Sequence, residues 1–545
     1  MTVCRSPRST PFVRTARLAL AAALALAATA ASAAPGATPS PTAAPDGFRG
    51  GLYQGLIDGA GELNPAQVRF ESTPDGGWRA QVRIGGRDEP LPATVAFEGP
   101  QLTLAMPGPD GPLACRGEVR AEAVVAAADA QGCRLELVAA QDGTLGQALA
   151  GAWQDADGQL YGLARLGDSP QPMWLDYRSG AWRAVVERDG ALHFGPASGT
   201  PWPRQASLVP EGDALWLRPA DGTPAAKLQR MPIHETPLEW QAGDATLKGT
   251  LLLPAGLAPD ARVPVVVFTH MSGAGERDAY RQFAYFFLAH GMGALIYDRR
   301  GSGASGGDEA TAGMHRLADD AVAAVQAVAA LPHVDATRLG TFGHSQGGWI
   351  APLAAARSPR VAFVIAQAAS GVSPALQEIY RVESNARDAG LDASEVAAAV
   401  AYERLLMNWA RTGEGREQVH ATARANRTAR WARYVELRED LPAQPSARAQ
   451  SFWWFDPAPD LARVRVPVLV IHGELDGYVP VEESRRIMRA AMGEAPVTFV
   501  LLPHTAHGLW TGARDSAREV ARSPGFAPEY WSQLLGWLRA QKLAP

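Results

Sequence analysis

The sequence is poor in lysine, in cysteine and in long apolar runs. Lysine occurs only at positions 227, 248 and 542, so arginine supplies almost all of the positive charge. The formal net charge is −5, and the basic residues form no runs. A mildly acidic chain of this kind gives no reason to expect a nucleic acid or an anionic membrane as a partner. It also has no H-E-x-x-H motif and no metal-ligand spacing of cysteines, so we expect neither a metal nor a cofactor.

A long apolar run occurs only at the amino terminus. An arginine-bearing start is followed by an Ala/Leu-rich stretch from Leu18 to about Ala30 and then by Ala31-Ser32-Ala33. This pattern is typical of a secretory signal peptide cleaved after Ala33. We therefore expect an exported mature chain, periplasmic or extracellular, without a membrane span. A membrane anchor is the alternative, but the run is short and rich in alanine.

Export has a consequence for the three cysteines. Cys4 leaves with the signal peptide, whereas Cys115 and Cys133 remain as a pair in an oxidising compartment. Because disulfides persist in such compartments, we predict that these two residues form one.

The rest of the chain divides into segments that differ in composition and in the pattern of apolar residues. Residues 34–46 form an Ala/Pro/Thr linker that has no means to pack. From 47 to 233 short alternating runs, such as Trp78–Ile84, are separated by turn residues at spacings of roughly ten, which predicts an all-β barrel or sandwich. Residues 236–545 form a second domain of a different kind.

In this second domain, near-continuous apolar runs alternate with helical segments. The predicted strands are Val263–Phe268, Gly293–Tyr297, Arg338–Phe342, Val361–Gln367, Val466–Ile471 and Val497–Leu501. Strands that are apolar throughout are covered on both faces, so we expect a parallel sheet with helices on either side. Between about 373 and 454 no strand is evident, and the segments Ala375–Ala389, Ala393–Trp409 and Glu414–Val435 predict a helical insertion, which we interpret as a cap.

The clearest motif is Gly343-His344-Ser345-Gln346-Gly347, which has the form G-x-S-x-G. An apolar strand precedes it and a helical segment follows at once, which is the setting of a nucleophile elbow. Ser345 is therefore the predicted nucleophile. The backbone N–H of Gln346 points to the same space and is the first predicted oxyanion donor.

A serine hydroxyl needs a base and a carboxylate to become a nucleophile. The base and the carboxylate should both follow later strands, because the functional residues of such sheets lie at the carboxyl ends of the parallel strands. Asp476 follows Val466–Ile471 and His507 follows Val497–Leu501, which gives the chain order expected for this kind of sheet. His507 would take the proton of Ser345, and Asp476 would orient the imidazole.

Each partner has a neighbour of similar type. We prefer Asp476 to Glu474 because turn-forming glycine and proline residues follow the aspartate. We prefer His507 to His504 because the glycine behind it lets the loop carry the imidazole toward the sheet.

The second oxyanion donor should come from the loop Thr269–Gly275, which follows the first strand of the sheet. Developing charge on a tetrahedral intermediate needs two N–H groups aimed at it. We expect the N–H of Ser272, with Met271 as the alternative.

Aromatic residues near the predicted site suggest a substrate pocket. Trp453 and Trp454 at the end of the insertion, together with Tyr478, are candidates to line it, and core packing is the alternative for the tryptophans. Gly301–Gly306 matches G-x-G-x-x-G, but Asp298-Arg299-Arg300 precedes it and no helix opens directly behind it, so we do not interpret it as a dinucleotide site.

Taken together, these motifs resemble the α/β-hydrolases, on the segments Thr269–Asp278, Tyr297–Gly303, Gly343–Gly348, His472–Pro480 and His507-Gly508. The chain is most similar to bacterial exported esterases and serine-aminopeptidase-like hydrolases whose oxyanion loop reads H-G-S-G-P-x-x-R-D. Here Met271 replaces the glycine of that loop. The resemblance covers about Leu238 to the end and implies an α/β-hydrolase fold with a helical cap. It also implies cofactor-free hydrolysis of carboxylic esters through an acyl-enzyme.

Three functions compete. The first is a carboxylesterase acting on a small-molecule ester. The second is a serine aminopeptidase-like peptidase or a thioesterase using the same triad, and a peptidase would need an acid such as Glu276, or one in the insertion, to hold the substrate amine. The third is a binding protein with an inert hydrolase fold, against which the complete set of motifs argues.

Overall fold

The computed structural model describes residues 44–46, 48–59, 62–84, 89–108, 111–121, 123–126, 132–165, 172–273, 275–512 and 517–545. The expected signal peptide, and most of the expected linker, lie outside these residues. The described residues form two units. The β-rich unit runs to Met231 and also includes Trp510–Trp531, and the α/β unit consists of Pro232–Leu509 and Ser532–Pro545.

The first part of the β-rich unit is a closed barrel. Its strands, in chain order, are β1 (Gly51–Gly59), β2 (Glu62–Ser72), β3 (Trp78–Ile84), β4 (Leu91–Glu98), β5 (Gln101–Gly108), β6 (Gly111–Arg120), β7 (Ala123–Val125) and β8 (Cys133–Ala140). Strand β3 shows why the sequence folds this way, since Ala80, Val82 and Ile84 are buried while Gln81 and Arg83 between them are exposed. Successive side chains of a strand point to opposite faces, and the inward set fills the barrel.

A disulfide joins Cys115 of β6 to Cys133 of β8. The two residues are paired in the short parallel contact between these strands, and both are buried.

The second part of the β-rich unit is an open antiparallel sheet. A short helix α1 (Leu145–Ala148) precedes its strands β9 (Gly151–Gln154), β10 (Leu160–Ala164), β11 (Met173–Asp176), β12 (Trp182–Ala184), β13 (Val186–Arg188), β14 (Ala191–Phe194), β15 (Ala206–Glu211), β16 (Ala214–Pro219) and β17 (Ala226–Arg230). The spatial order is β12-β11-β10-β9-β17-β16-β15-β14-β13. The predicted all-β character of this region is therefore confirmed, with a barrel and a further sheet.

The α/β unit is built on one eight-stranded sheet. Its strands are β18 (Ile233–Ala242), β19 (Ala245–Pro254), β20 (Val263–Thr269), β21 (Gly293–Tyr297), β22 (Val334–His344), β23 (Val361–Gln367), β24 (Val468–Gly473) and β25 (Val497–Leu502). They lie in the order β18-β19-β21-β20-β22-β23-β24-β25. The β18–β19 and β19–β21 pairings are antiparallel, and all pairings from β21 to β25 are parallel. Strands β20, β21 and β24 are buried along their whole length, as expected for a sheet covered on both faces.

Helices connect these strands and form the predicted insertion. They are α2 (Arg281–Ala289), α3 (Met314–Val328), α4 (Gln346–Arg357), α5 (Pro374–Asp388), α6 (Ala393–Thr412), α7 (Arg416–Ala425), α8 (Ala447–Trp453), α9 (Ala458–Leu461) and α10 (Val481–Met492). Helix α11 (Ala517–Arg522) belongs to the β-rich unit, and α12 (Pro528–Ala540) begins there and continues into the α/β unit. Short 3₁₀ helices lie at Arg277–Tyr280, Glu309–Thr311 and Arg430–Tyr434. Within the described part of the chain, none of the helices is both long and apolar enough to cross a lipid bilayer.

The insertion has an apolar core of its own, formed by residues of α5, α6 and α7 with Trp431 and Leu441. Its third segment differs from the prediction, because Glu414–Val435 is not one helix. Helix α7 ends at Ala425, where the side chain of Asn426 donates to the carbonyl of Thr422 at 2.8 Å, and a 3₁₀ turn follows.

We predict that replacing both Cys115 and Cys133 by alanine lowers the free energy of unfolding of the mature protein. Cross-linking residues 18 positions apart restricts the unfolded chain, and a closed loop of this size stabilises by about 2–4 kcal/mol. Chemical unfolding of the two proteins measures the difference. Thiol titration of the unfolded mature protein is the control, and equal titres before and after reduction would contradict the disulfide.

Candidate active site

The strand-to-helix turn at Ser345 has an unusual backbone. Strand β22 ends at His344 and α4 begins at Gln346, and Ser345 between them has φ 56° and ψ −115°. A positive φ is costly for a residue with a side chain and persists only where the surroundings enforce it. The N–H of Ser345 donates to the carbonyl of Gln367 at 2.9 Å, and its own carbonyl accepts from the N–H of Gly348 at 2.7 Å.

Two glycines allow this turn to close. A Cβ on Gly343 would lie 2.0 Å from the carbonyl oxygen of Gly347, and a Cβ on Gly347 would lie 2.8 Å from that of Thr269. The hydroxyl of Thr269 also lies 3.0 Å from the carbonyl oxygens of Phe342 and Gly347, which ties β20 to the turn. The G-x-S-x-G pattern is therefore a steric requirement of this geometry.

The structure brings Ser345, His507 and Asp476 together. The Oγ of Ser345 lies 2.9 Å from Nε2 of His507. On the other side of the ring, Nδ1 lies 3.0 Å from Oδ2 and 3.1 Å from Oδ1 of Asp476. Both contacts fall within hydrogen-bond distance, as a nucleophile, a base and an orienting carboxylate require.

The alternative residues lie outside this arrangement. The side chain of His504 is 82% exposed, and its Nδ1 is 4.0 Å from a carboxylate oxygen of Glu474. Glu474 accepts the backbone N–H of His504 at 2.9 Å. These two residues thus form a surface turn beside the site.

Asp476 is buried, and its carboxylate accepts several hydrogen bonds. Its Oδ1 accepts the backbone N–H groups of Tyr478 at 2.9 Å and Val479 at 2.8 Å. Burial by itself raises the pKa of this carboxyl group, but the charge and hydrogen bond of His507, together with the two backbone donors, outweigh it and lower the pKa. Asp476 is consequently ionised at neutral pH.

Two further histidines lie close by but are held neutral. Burial, reinforced by the charge of His507, lowers the pKa of His344 to about 3. His472 is fully buried, its Nε2 lies 2.7 Å from the carbonyl of Ala369, and burial lowers its pKa as well. Of these three histidines, His507 is the one whose ring lies within hydrogen-bond distance of the Oγ of Ser345, and its side chain is 12% exposed.

The loop that follows β20 lies against the turn. The hydroxyl of Ser272 donates to the side-chain Oε1 of Gln346 at 2.9 Å. The N–H of Met271 donates to the hydroxyl of Tyr280 at 2.9 Å, and its carbonyl accepts from Arg299 at 3.1 Å. The N–H of Met271 is thus engaged, and the two loops are joined through the side chains of Ser272 and Gln346.

The predicted pocket residues separate into two groups. The ring of Tyr478 stacks on that of His507, with centroids 4.8 Å apart. Trp454 donates its indole N–H to the carbonyl of Met407 at 3.0 Å, and with Trp453 it packs on the apolar core of the insertion. The tryptophans therefore have the packing role that was the alternative interpretation.

One residue at the site was missed by sequence reasoning. The hydroxyl of Tyr380, on α5 of the insertion, donates to the backbone carbonyl of Asp476 at 3.3 Å. No local motif marks a tyrosine for such a contact, since it depends on how the insertion packs.

The chain is similar to known proteins over part of its length. Residues 261–513 match a family model described as serine aminopeptidase, S33. Among solved structures, DcsB in complex with a substrate analogue is 20% identical, with a TM-score of 0.35, and the match covers 56% of this chain and 99% of that one. An esterase of Pyrococcus furiosus is 16% identical, with a TM-score of 0.36, and the match covers 57% of this chain and 91% of that one.

The fold class predicted from the sequence is confirmed. The sheet places an antiparallel β19 beside β21 and then continues in parallel to β25, with a helical insertion between β23 and β24. The strand-to-helix turn at Ser345 lies at the carboxyl end of β22, which is one of the central strands of the sheet. The strand order, this turn and the match of residues 261–513 to the serine aminopeptidase, S33, family model together show that the α/β unit has an α/β-hydrolase fold.

Proposed function

We propose that this protein is an exported serine hydrolase that cleaves carboxylic esters through Ser345, His507 and Asp476. The observation that carries the proposal is the unbroken line of contacts from the serine Oγ through both nitrogens of one imidazole to a buried carboxylate. This arrangement can activate a hydroxyl group, and in this protein it lies at the carboxyl ends of parallel strands, where such sheets carry their function.

The reaction follows from the donors and acceptors at the site. Nε2 of His507 takes the proton of Ser345 as Oγ attacks the ester carbonyl, giving a tetrahedral oxyanion. The C–O bond to the alcohol then breaks, and His507 returns the proton to the leaving alkoxide. In the second half, water gives a proton to His507 and attacks the acyl carbonyl. The bond from that carbon to Oγ then breaks, His507 returns the proton to Oγ, and the acid leaves.

Asp476 has an electrostatic and an orienting role. Its lowered pKa keeps it ionised, so it accepts a hydrogen bond from the Nδ1–H of His507 and leaves Nε2 as the base. The same negative charge stabilises the imidazolium that forms in each half of the reaction.

For the oxyanion we propose the backbone N–H groups of Gln346 and Ser272. Gln346 is the first residue of α4. The backbone N–H groups at a helix N-terminus point outward and favour a negative charge placed there. Met271 is the weaker choice, because its N–H already donates to Tyr280. The hydrogen bond between the side chains of Ser272 and Gln346 supports a fixed distance between the two proposed donors.

Aminoacyl substrates are the second candidate, because the matching family is described as serine aminopeptidase. A peptidase of that kind would need a carboxylate free to hold an ammonium group. The most buried acid of the insertion, Glu403, has its pKa raised to about 8 by burial and by the charge of Glu378. Glu378 in turn accepts a hydrogen bond from Arg381 at 2.9 Å, and Glu276 is exposed at the surface. Glu378 thus already pairs with an arginine and the raised pKa of Glu403 disfavours its charged form, which favours esters.

Thioesters require the same nucleophile, base and oxyanion donors, and we include them as a further substrate class. Export is proposed from the amino-terminal sequence pattern, and the Cys115–Cys133 pair is in keeping with an oxidising compartment. Neither ester nor thioester hydrolysis by the proposed mechanism requires a cofactor.

We predict that aryl acyl esters of graded chain length are hydrolysed with a higher kcat/KM than aminoacyl anilides of the same leaving-group class. Steady-state kinetics with purified mature protein tests this. Ser345→Ala is the control and should lose about three orders of magnitude or more in kcat. Faster turnover of the anilides would favour the peptidase, and an active Ser345→Ala variant would remove the mechanism.

We predict that His507→Ala lowers kcat for esters by about three orders of magnitude or more, because no other base contacts the serine in the proposed triad. His504→Ala is a matched control three residues away, and its exposed side chain should be dispensable, leaving kcat within about twofold. The assignment would have to be reversed if the loss followed His504 instead.

We predict that Ser272→Pro lowers kcat by about a hundredfold or more, because proline removes the proposed oxyanion N–H. Ser272→Ala keeps the N–H and loses only the bond to Gln346, so its loss should be about tenfold at most. Both variants are measured with one ester after thermal unfolding has shown that they fold. A proline variant as active as the alanine variant would exclude Ser272 as the donor.

A further inference from the structure

The side chain of Gln346 carries a hydrogen-bond donor that has no acceptor. Gln346 is only 4% exposed, and its amide nitrogen Nε2 is buried completely. Within the described ranges of the chain, no residue accepts a hydrogen bond from this nitrogen. A buried amide without a partner is costly, because it has given up its bonds to water and gained none within the protein.

The other end of the same amide group is fixed. Its oxygen Oε1 accepts a hydrogen bond from the hydroxyl of Ser272 at 2.9 Å. Because Oε1 and Nε2 are bonded to the same carbon, a contact that holds the oxygen also restricts the position of the nitrogen. The open donor of Gln346 is therefore held in place by Ser272.

This amide group lies between the residues that carry the proposed oxyanion donors. Gln346 follows Ser345 directly, and its backbone N–H is the first of these donors. Its side chain ends on Ser272, whose backbone N–H is the second. The amide thus joins the two residues toward which the negative charge of a tetrahedral intermediate at Ser345 is directed.

Neighbouring donors of the same two segments already have acceptors. The N–H of Met271 donates to the hydroxyl of Tyr280 at 2.9 Å. The hydroxyl of Thr269 lies 3.0 Å from each of two backbone carbonyl oxygens. In contrast to these groups, Nε2 of Gln346 is a donor that the protein without substrate leaves open.

An open, oriented donor favours the transition state over the ground state. A contact accelerates a reaction only where it is stronger in the transition state, and the oxyanion appears only as Oγ of Ser345 attacks the ester. A donor that is already oriented and shielded from bulk water then gains its bond without reorganisation. Packing alone would favour leucine or methionine at position 346, since either fills a similar volume without burying an unpaired N–H.

We propose that the side-chain amide of Gln346 is a third donor to the oxyanion and that the hydroxyl of Ser272 positions it. Gln346 then acts through its side chain as well as through its backbone. Ser272 is a donor through its backbone N–H and a positioning residue through its hydroxyl. The proposal rests on the proposed function, because it requires an oxyanion formed at Ser345.

A set of three variants separates this role from packing. Gln346→Met removes the amide and keeps the backbone N–H and a similar volume. Ser272→Ala keeps its backbone N–H and removes the hydroxyl that holds Oε1. The double variant removes both partners of this hydrogen bond, so that neither group is left unpaired. Gln346→Leu replaces Gln346→Met if that variant does not fold.

The variants are compared as full mature chains by steady-state hydrolysis of one aryl ester. Active sites are counted by phosphonylation with a fluorophosphonate, so that rates refer to folded protein. We expect Gln346→Met to lower kcat by about tenfold or more with KM little changed, because a donor used in the transition state is lost. Ser272→Ala should have no further effect on kcat in the Gln346→Met background, because its hydroxyl acts through the amide. The double variant should unfold thermally at a temperature no lower than that of the unsubstituted protein.

An aryl trifluoromethyl ketone supplies a measurement that a packing role would not move. The serine adds to the carbonyl of this inhibitor and forms a tetrahedral adduct with a negatively charged oxygen. Its inhibition constant for Gln346→Met should rise by about the same factor as kcat/KM falls. The corresponding trifluoromethyl alcohol cannot form the adduct, so its inhibition constant should stay within about twofold.

The proposal is overturned if Gln346→Met and Gln346→Leu keep both kcat/KM and the inhibition constant of the ketone within about twofold of the unsubstituted protein. A fall in kcat/KM that the ketone does not follow would also overturn it. Additive effects of Ser272→Ala and Gln346→Met on kcat would exclude the positioning role of the Ser272 hydroxyl.

These outcomes are separable from failure of the proposed function. An active Ser345→Ala variant would refute the triad itself. An inactive Ser345→Ala variant together with an unimpaired Gln346→Met variant would refute only the third donor.

Discussion

The site depends on one constraint, which is that Ser345 is held at a positive φ in a turn too tight for side chains on either side. The turn directs Oγ out of the sheet toward Nε2 of His507 and starts α4 at the next residue. Gly343 and Gly347 make the turn possible, and the hydroxyl of Thr269 fastens it to the neighbouring strand. Without this enforced conformation the serine would relax to a common backbone angle and lose its contact with the base.

The other two residues of the arrangement are positioned by their own strand ends. Asp476 follows β24 and is fixed by two backbone N–H groups, while His507 follows β25 and is held between the carboxylate and the ring of Tyr478. Buried neutral histidines complete the surroundings without competing for the proton. The two proposed oxyanion segments are linked through the side chains of Ser272 and Gln346.

Much of this was accessible from the sequence, because the patterns involved are local. Apolar runs gave strands with the observed bounds at Gly293–Tyr297 and Val361–Gln367, and glycine spacing located the turn at Ser345. What depends on packing was not accessible. The contact of Tyr380 with the backbone of Asp476, the packing role of Trp454 and the place of Trp510–Trp531 in the β-rich unit all join residues distant in the chain. Composition carries no record of such contacts.

The central claim is that Ser345 becomes acylated during turnover. Reaction with a fluorophosphonate, followed by proteolysis and mass spectrometry, measures this directly, because the reagent marks the nucleophile that the base has activated. The account predicts a single labelled peptide with the adduct on Ser345, and protection of that residue by a competing ester. An adduct on a different residue, or full ester hydrolysis by protein in which Ser345 stays unmodified, would contradict it.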